Sequence, residues 1–324
     1  MSSGQSIFKS CLVIVGVLVV LGVAVAIFGV NAVNNALKKA GQQAEKQTRM
    51  QEELQREADA LPPIIPIPDD EKGSEDGTVG EGESATSQAI IKRWNLPDIP
   101  VSERGNRKVE SFRTAKNIIY DTHKDLKMET TFYCGCTYKK RKPVFSSCGY
   151  KVRKRKTRAG RTEIEHVMPA SRFGHTFSEW TEGHPSCERK GREYKGRSCA
   201  EDASPEFVLM ESDLFNLQPS VGEVNGDRLD YEWGELKGEA REYGDCDMEI
   251  RDQLAEPPSN IRGDIARVYL YMAWAYPGRI ELSEKELAMY TAWDKSDPVS
   301  KDELRRAEEL SREQGNIQPL IIGR

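Results

Sequence analysis

The chain has 324 residues, more than one typical domain of about 150 residues needs. Charged residues make up 31% and hydrophobic residues 38%, with a mean hydropathy of −0.63, which excludes a polytopic membrane protein. The net charge of −5 is an average over segments of opposite sign, and 26 Gly and 16 Pro are too few for a collagen-like or low-complexity chain.

Residues 11–30, CLVIVGVLVVLGVAVAIFGV, carry no charge over twenty positions. At about 1.5 Å per residue they reach across a hydrocarbon core of about 30 Å. A cleaved signal has a shorter apolar region, so residues 1–34 are expected to be a retained single-pass anchor, with secretion after cleavage near Ala32 as the alternative. Residues 35–61 are polar and rich in Ala, Gln, Glu and Lys, which predicts an exposed juxtamembrane helix. A loose heptad there allows self-association, although Gln47 and Gln51 fall in its seam. Residues 62–91 are expected to be a linker, first Pro-rich and then acidic, with seven acids against Lys72 over 69–88.

A globular domain is expected over 92–324. Its first part is basic: residues 108–165 hold 16 Lys and Arg against 6 Asp and Glu. The runs Lys139, Lys140, Arg141, Lys142 and Arg153, Lys154, Arg155, Lys156 form its centre. Neutralising phosphates releases counterions, so a nucleic acid is the expected partner. Seven Cys are present; Cys11 lies in the apolar stretch, and Cys134, Cys136, Cys148, Cys187, Cys199 and Cys246 lie in the globular part. An even number after an export-like segment predicts three disulfides, whose connectivity stays open among 15 pairings. A zinc site from Cys134, Cys136 and Cys148 is the alternative, at poor spacing for one. The basic residues Lys38, Lys39, Lys46 and Arg49 after the apolar stretch would keep the C-terminal side cytoplasmic, whereas disulfides need the opposite side. The cysteines carry more weight, because a long domain can translocate against loop charge. The domain is therefore expected on the oxidising side of the membrane, away from the cytoplasm.

The chemistry is concentrated in three segments. Glu163-Ile-Glu165-His166 alternates as a short strand before Pro169. Met210-Glu211-Ser-Asp213-Leu-Phe-Asn216-Leu-Gln-Pro219 reads as a second strand, and Gly222-Glu223-Val-Asn225-Gly-Asp227-Arg228 as a short helix or turn. A His on one strand and an Asn on a following helix suit a one-metal phosphodiesterase. The His takes a proton from water, and carboxylate and amide oxygens hold a hard cation.

These segments, together with Thr131-Phe-Tyr-Cys134-Gly-Cys136, Ser147-Cys148-Gly-Tyr150, Arg262-Gly-Asp-Ile-Ala-Arg267, Ala292-Trp293 and Gln314-Gly-Asn316, resemble the bacterial endonuclease I family in its order, over roughly residues 105–318. The resemblance implies an α+β fold: a ββα-metal (His-Me finger) nuclease domain with added helices. Here that domain is expected to follow a single N-terminal transmembrane helix and a linker, which would place it in the periplasm at the bacterial inner membrane. It further implies Mg²⁺ held by Glu165 and Asn225, His166 as general base, Glu211 orienting His166 or water, and Arg197 contacting the phosphate. Arg192 is the alternative for that last role, because segment 175–206 is longer than in the family. The implied reaction is nonspecific hydrolysis of DNA, or of RNA, to 5′-phosphate ends, with activity falling as pH drops through the His166 pKa. A nucleic-acid-binding envelope protein without catalysis and a structural protein facing anionic lipid are the competing readings.

Overall fold

The computed structural model describes residues 83–323 except Glu239, together with Lys38. The apolar stretch 11–30, nearly all of the juxtamembrane segment 35–61 and residues 62–82 of the expected linker lie outside these. Among the described residues no helix is long and apolar enough to cross a membrane.

The first described helix, α1 (Ala85–Trp94), begins inside the stretch expected to be linker. Ser84 caps it by accepting from the Ser87 amide, and Ile90 is fully buried. The folded part therefore starts before residue 92: the acidic composition hid one apolar stripe, Ile90 and Ile91. Next come α2 (Phe112–Asp125), capped by Ser111, and a tight hairpin Tyr138–Lys139/Lys142–Pro143. A strand β1 (Thr162–His166) follows, then the helices α3 (Arg197–Ala203) and α4 (Pro205–Glu211), a strand β2 (Leu217–Val221) and α5 (Gly222–Arg228). The expected strand over 210–219 is thus corrected. Ser204 caps and Pro205 starts a helix that runs to Glu211, a 3₁₀ turn covers Leu214–Asn216, and only Leu217 onward is extended.

Strands β1 and β2 pair antiparallel, Thr162 opposite Val221 and His166 opposite Leu217. Helix α5 leaves β2 directly and packs back on both strands. The site is carried on this strand–strand–helix unit. Behind it lies α6 (Arg262–Ala275), which is buried on every side from Ile265 to Ala275, the ion-paired Arg267 included. Helix α1 and α7 (Glu284–Ser296) pack on α6, and α8 (Lys301–Gln314) packs on α2. Capping boxes at Ser283/Glu286 and Ser300/Glu303 fix the starts of α7 and α8.

All six cysteines of the domain are paired: Cys134–Cys246, Cys136–Cys148 and Cys187–Cys199. The zinc alternative is thereby overturned, since the thiols it needs are consumed.

Candidate active site

The end of β1, the N-terminal part of α2, the start of α3 and the outer face of α5 enclose a cleft of about 950 Å³. Glu165, His166, Arg197 and Asn225 all line it, so residues up to 60 positions apart in the chain converge. His166 is buried, with its ring 4.6 Å from the ring of Phe112. Its Nε2 lies 2.8 Å from the main-chain carbonyl oxygen of Glu211. A carbonyl can only accept, so Nε2 carries the hydrogen and Nδ1 keeps its lone pair. Burial, reinforced by the Arg197 guanidinium, pushes the His166 pKa down to about 3, so the ring stays neutral. Glu211 thus holds the imidazole through its main chain. Its carboxylate instead pairs with Arg197.

Glu165 is also buried and lies in a polar cradle. The Tyr133 hydroxyl donates to its Oε1 at 2.9 Å, and the Arg228 guanidinium does so at 3.1 Å. Among the described residues Oε2 takes no hydrogen bond. Burial outweighs these partners and raises the Glu165 pKa to about 7. Arg228 is buried with it and also donates to the carbonyls of His166 and Val167, which ties α5 to the end of β1. Asn225, on α5, donates from Nδ2 to Glu163 Oε2 at 3.3 Å, leaving its Oδ1 as the free end. A carboxylate oxygen and a carboxamide oxygen facing one cleft are the donors a hard divalent cation takes, with water completing its shell. The residues present therefore fit such an ion.

The cleft wall is cationic. Arg113, Lys116, Arg141, Arg158 and Arg161 line it in addition to Arg197 and Arg228. Phe112 supports two cations beside His166: Lys116 Nζ lies 4.5 Å from its ring centroid and the Arg197 guanidinium 5.2 Å. Of the eight basic residues singled out in the sequence, Arg141 alone lines this cleft. Lys139, Lys140 and Lys142 are exposed on its hairpin. In the second run, Arg153 pairs with Glu242 at 2.7 Å and Arg155 with Asp227 at 2.9 Å. The amides of Arg153, Lys154 and Arg155 all donate to the Glu223 carboxylate, an intramolecular nest that turns this run away from the site. Arg192 lies on the exposed hairpin Glu188–Arg189/Arg192–Glu193 and does not line the cleft, so Arg197 is the better placed of the two candidates.

Sequence reading missed Tyr133, Arg158, Glu163 and Arg228. The Gly226 following Asn225 is a signal for Arg158. A Cβ there would sit 2.2 Å from Arg158 NH1, so only glycine lets the guanidinium lie against α5.

Comparison with known proteins gives one consistent result. The family model described as Endonuclease I matches residues 102–322. Endonuclease-1 of Buchnera aphidicola (Acyrthosiphon pisum) is 44% identical over 216 residues, 65% of this chain and 80% of that protein. A periplasmic deoxyribonuclease of Aeromonas hydrophila is 38% identical over 225 residues, 66% of this chain and 86% of that protein. An extracellular deoxyribonuclease of the same organism is 38% identical over 223 residues, 66% and 88% respectively.

Proposed function

The chain belongs to the endonuclease I family and is a phosphodiester-hydrolysing nuclease, and from that premise we propose that it is an exported, nonspecific, Mg²⁺-dependent deoxyribonuclease with His166 as its general base. One observation carries this reading: Glu165, His166 and Asn225 face a single cationic cleft, with His166 Nε2 tied to the Glu211 carbonyl so that Nδ1 is the free basic atom.

In this reading the strand alternation of β1 gives Glu165 and His166 different tasks. His166 Nδ1 removes the proton from the attacking water, and the Glu211 carbonyl keeps the ring in the tautomer that can do so. Glu165 Oε2 and Asn225 Oδ1 would hold the cation, which when bound neutralises charge building on the phosphate and the leaving oxygen. Arg197 and Lys116, steadied on Phe112, grip phosphate oxygens, and Arg113, Arg141 and Arg161 extend the grip along the strand. Contacts to phosphate and sugar carry no sequence information, so cutting is nonspecific. Attack opposite the 3′-oxygen leaves 5′-phosphate and 3′-hydroxyl ends. The relatives named periplasmic and extracellular, and three disulfides that need an oxidising compartment, support export, with residues 11–30 as the export or anchoring segment.

The test is digestion of duplex DNA, single-stranded DNA and RNA with Mg²⁺ and with EDTA, end-labelling of the products, and the same assay on His166→Ala. That variant is expected to bind DNA yet cut it at least about 100-fold more slowly. Ordinary turnover by it would overturn the base assignment, and unchanged DNA under every condition would favour a binding protein.

A further inference from the structure

An amide is nearly symmetrical in shape, but only its oxygen can bind a cation. Asn225 therefore needs something that tells its two ends apart. Among the described residues the side chain that does so is Glu163, whose Oε2 accepts from Asn225 Nδ2 at 3.3 Å. Glu163 stands two residues before Glu165, on the same face of β1. It is itself rigidly held. Arg158 donates from Nε at 3.0 Å to each carboxylate oxygen and from NH2 to Oε2 at 2.7 Å, and Arg161 reaches Oε1 at 2.7 Å. Both oxygens are thus engaged and two guanidinium groups offset the charge, which argues against Glu163 being a ligand of the cation. Arg158 lies flat on Gly226, so the same side chain touches Glu163 and the helix that bears Asn225.

We propose that Glu163, clamped by Arg158 and Arg161, is a positioning residue that turns the Asn225 carboxamide so that Oδ1 rather than Nδ2 is presented to the divalent cation. This rests on the metal reading of Glu165 and Asn225 given above. Groups that orient a metal ligand are worth roughly 10–100-fold in metal affinity.

The experiment is a titration of the DNA-free full chain with Mn²⁺, following free Mn²⁺ by its paramagnetic resonance signal, which reads affinity without activity. Glu163→Ala should weaken binding by roughly 10–100-fold. Glu163→Gln, which keeps an acceptor oxygen and the side-chain size, should keep most of the affinity. In an Asn225→Ala background, Glu163→Ala should change affinity by less than about twofold, because the two act through one atom. An equal loss in both backgrounds, or a Gln variant as weak as the Ala variant, would mean that Glu163 acts as bulk charge, and the proposal fails. If Asn225→Ala weakens Mn²⁺ binding and Glu163→Ala does not, only the positioning role fails. If Asn225→Ala leaves binding unchanged, the metal assignment itself fails and takes this proposal with it.

Discussion

Acidification tests the neutral, pinned state of His166 directly. An unfolded chain titrates this His near 6.5, whereas burial and Arg197 hold the folded ring neutral down to about 3. Between those values the unfolded state binds a proton that the native state refuses, so the contribution of His166 to stability is lost as pH falls below 6.5. At pH 4.5 the loss amounts to roughly 3 kcal/mol, on the order of 100-fold in the unfolding equilibrium. Glu165 has the opposite sign. Its folded pKa, raised to about 7, means that acidification from 7 towards 4.5 favours the native state, so the raw slope of stability against pH mixes the two. The comparison that isolates His166 is urea unfolding of the metal-free protein and of His166→Asn at pH 7.5 and 4.5. The difference between their unfolding free energies should fall by roughly 3 kcal/mol on acidification, and the His166 ring resonances should not move above pH 5. A constant difference, or a His166 midpoint near 6.5, would refute the argument. Its catalytic corollary revises the sequence expectation. On the proposed mechanism a ring already neutral at working pH gives no acid limb of its own, so a fall in rate on acidification is expected to report Glu165 losing its charge, and not His166 gaining one.

Removing the Cys134–Cys246 bridge, which spans 112 positions, should cost more in urea unfolding than removing either bridge that spans 12, about 4–5 kcal/mol against about 3 kcal/mol. Arg228→Met should destabilise by about 3–5 kcal/mol at pH 8, because it strands the buried Glu165 carboxylate, and by less at pH 5, where that carboxyl is protonated; thermal unfolding at the two pH values checks this. Lys116→Ala should lower the salt slope of DNA binding by about one, whereas Lys154→Ala, outside the cleft, should leave it unchanged; filter binding over a salt series separates them.

The parts of the site that were legible in the sequence are those set by local pattern. Glu165-His166 ends a five-residue alternation before a proline, and Asn225 sits in a Gly- and Asp-rich helix, so both could be named with their elements. The parts that were not legible depend on burial. Arg228 looks like an ordinary surface charge until β1 and α5 close over it, Arg158 until it lies against Gly226, and Tyr133 reaches Glu165 from 32 positions away. That the second basic run lies outside the cleft was not legible for the same reason, since nothing local announces that Glu223 will collect its amides. The helix ending at Glu211 was misread as strand, although Ser204-Pro205 is a helix-start signal and precedes it directly.

The tether between His166 and residue 211 has a further implication for how this enzyme can vary. Every amino acid brings a carbonyl, so the tautomer clamp survives substitution at 211 as long as the backbone path is kept, and that path is held by the buried Asp213, which accepts from Tyr271, Tyr276 and Gln314. The side chain at 211 is thereby left to act on Arg197, which it shares with Glu201. On the proposed roles of Arg197 and His166, drift at that position would alter how tightly substrate is held while sparing proton transfer, and mutational tolerance should break down at 213 well before it does at 211.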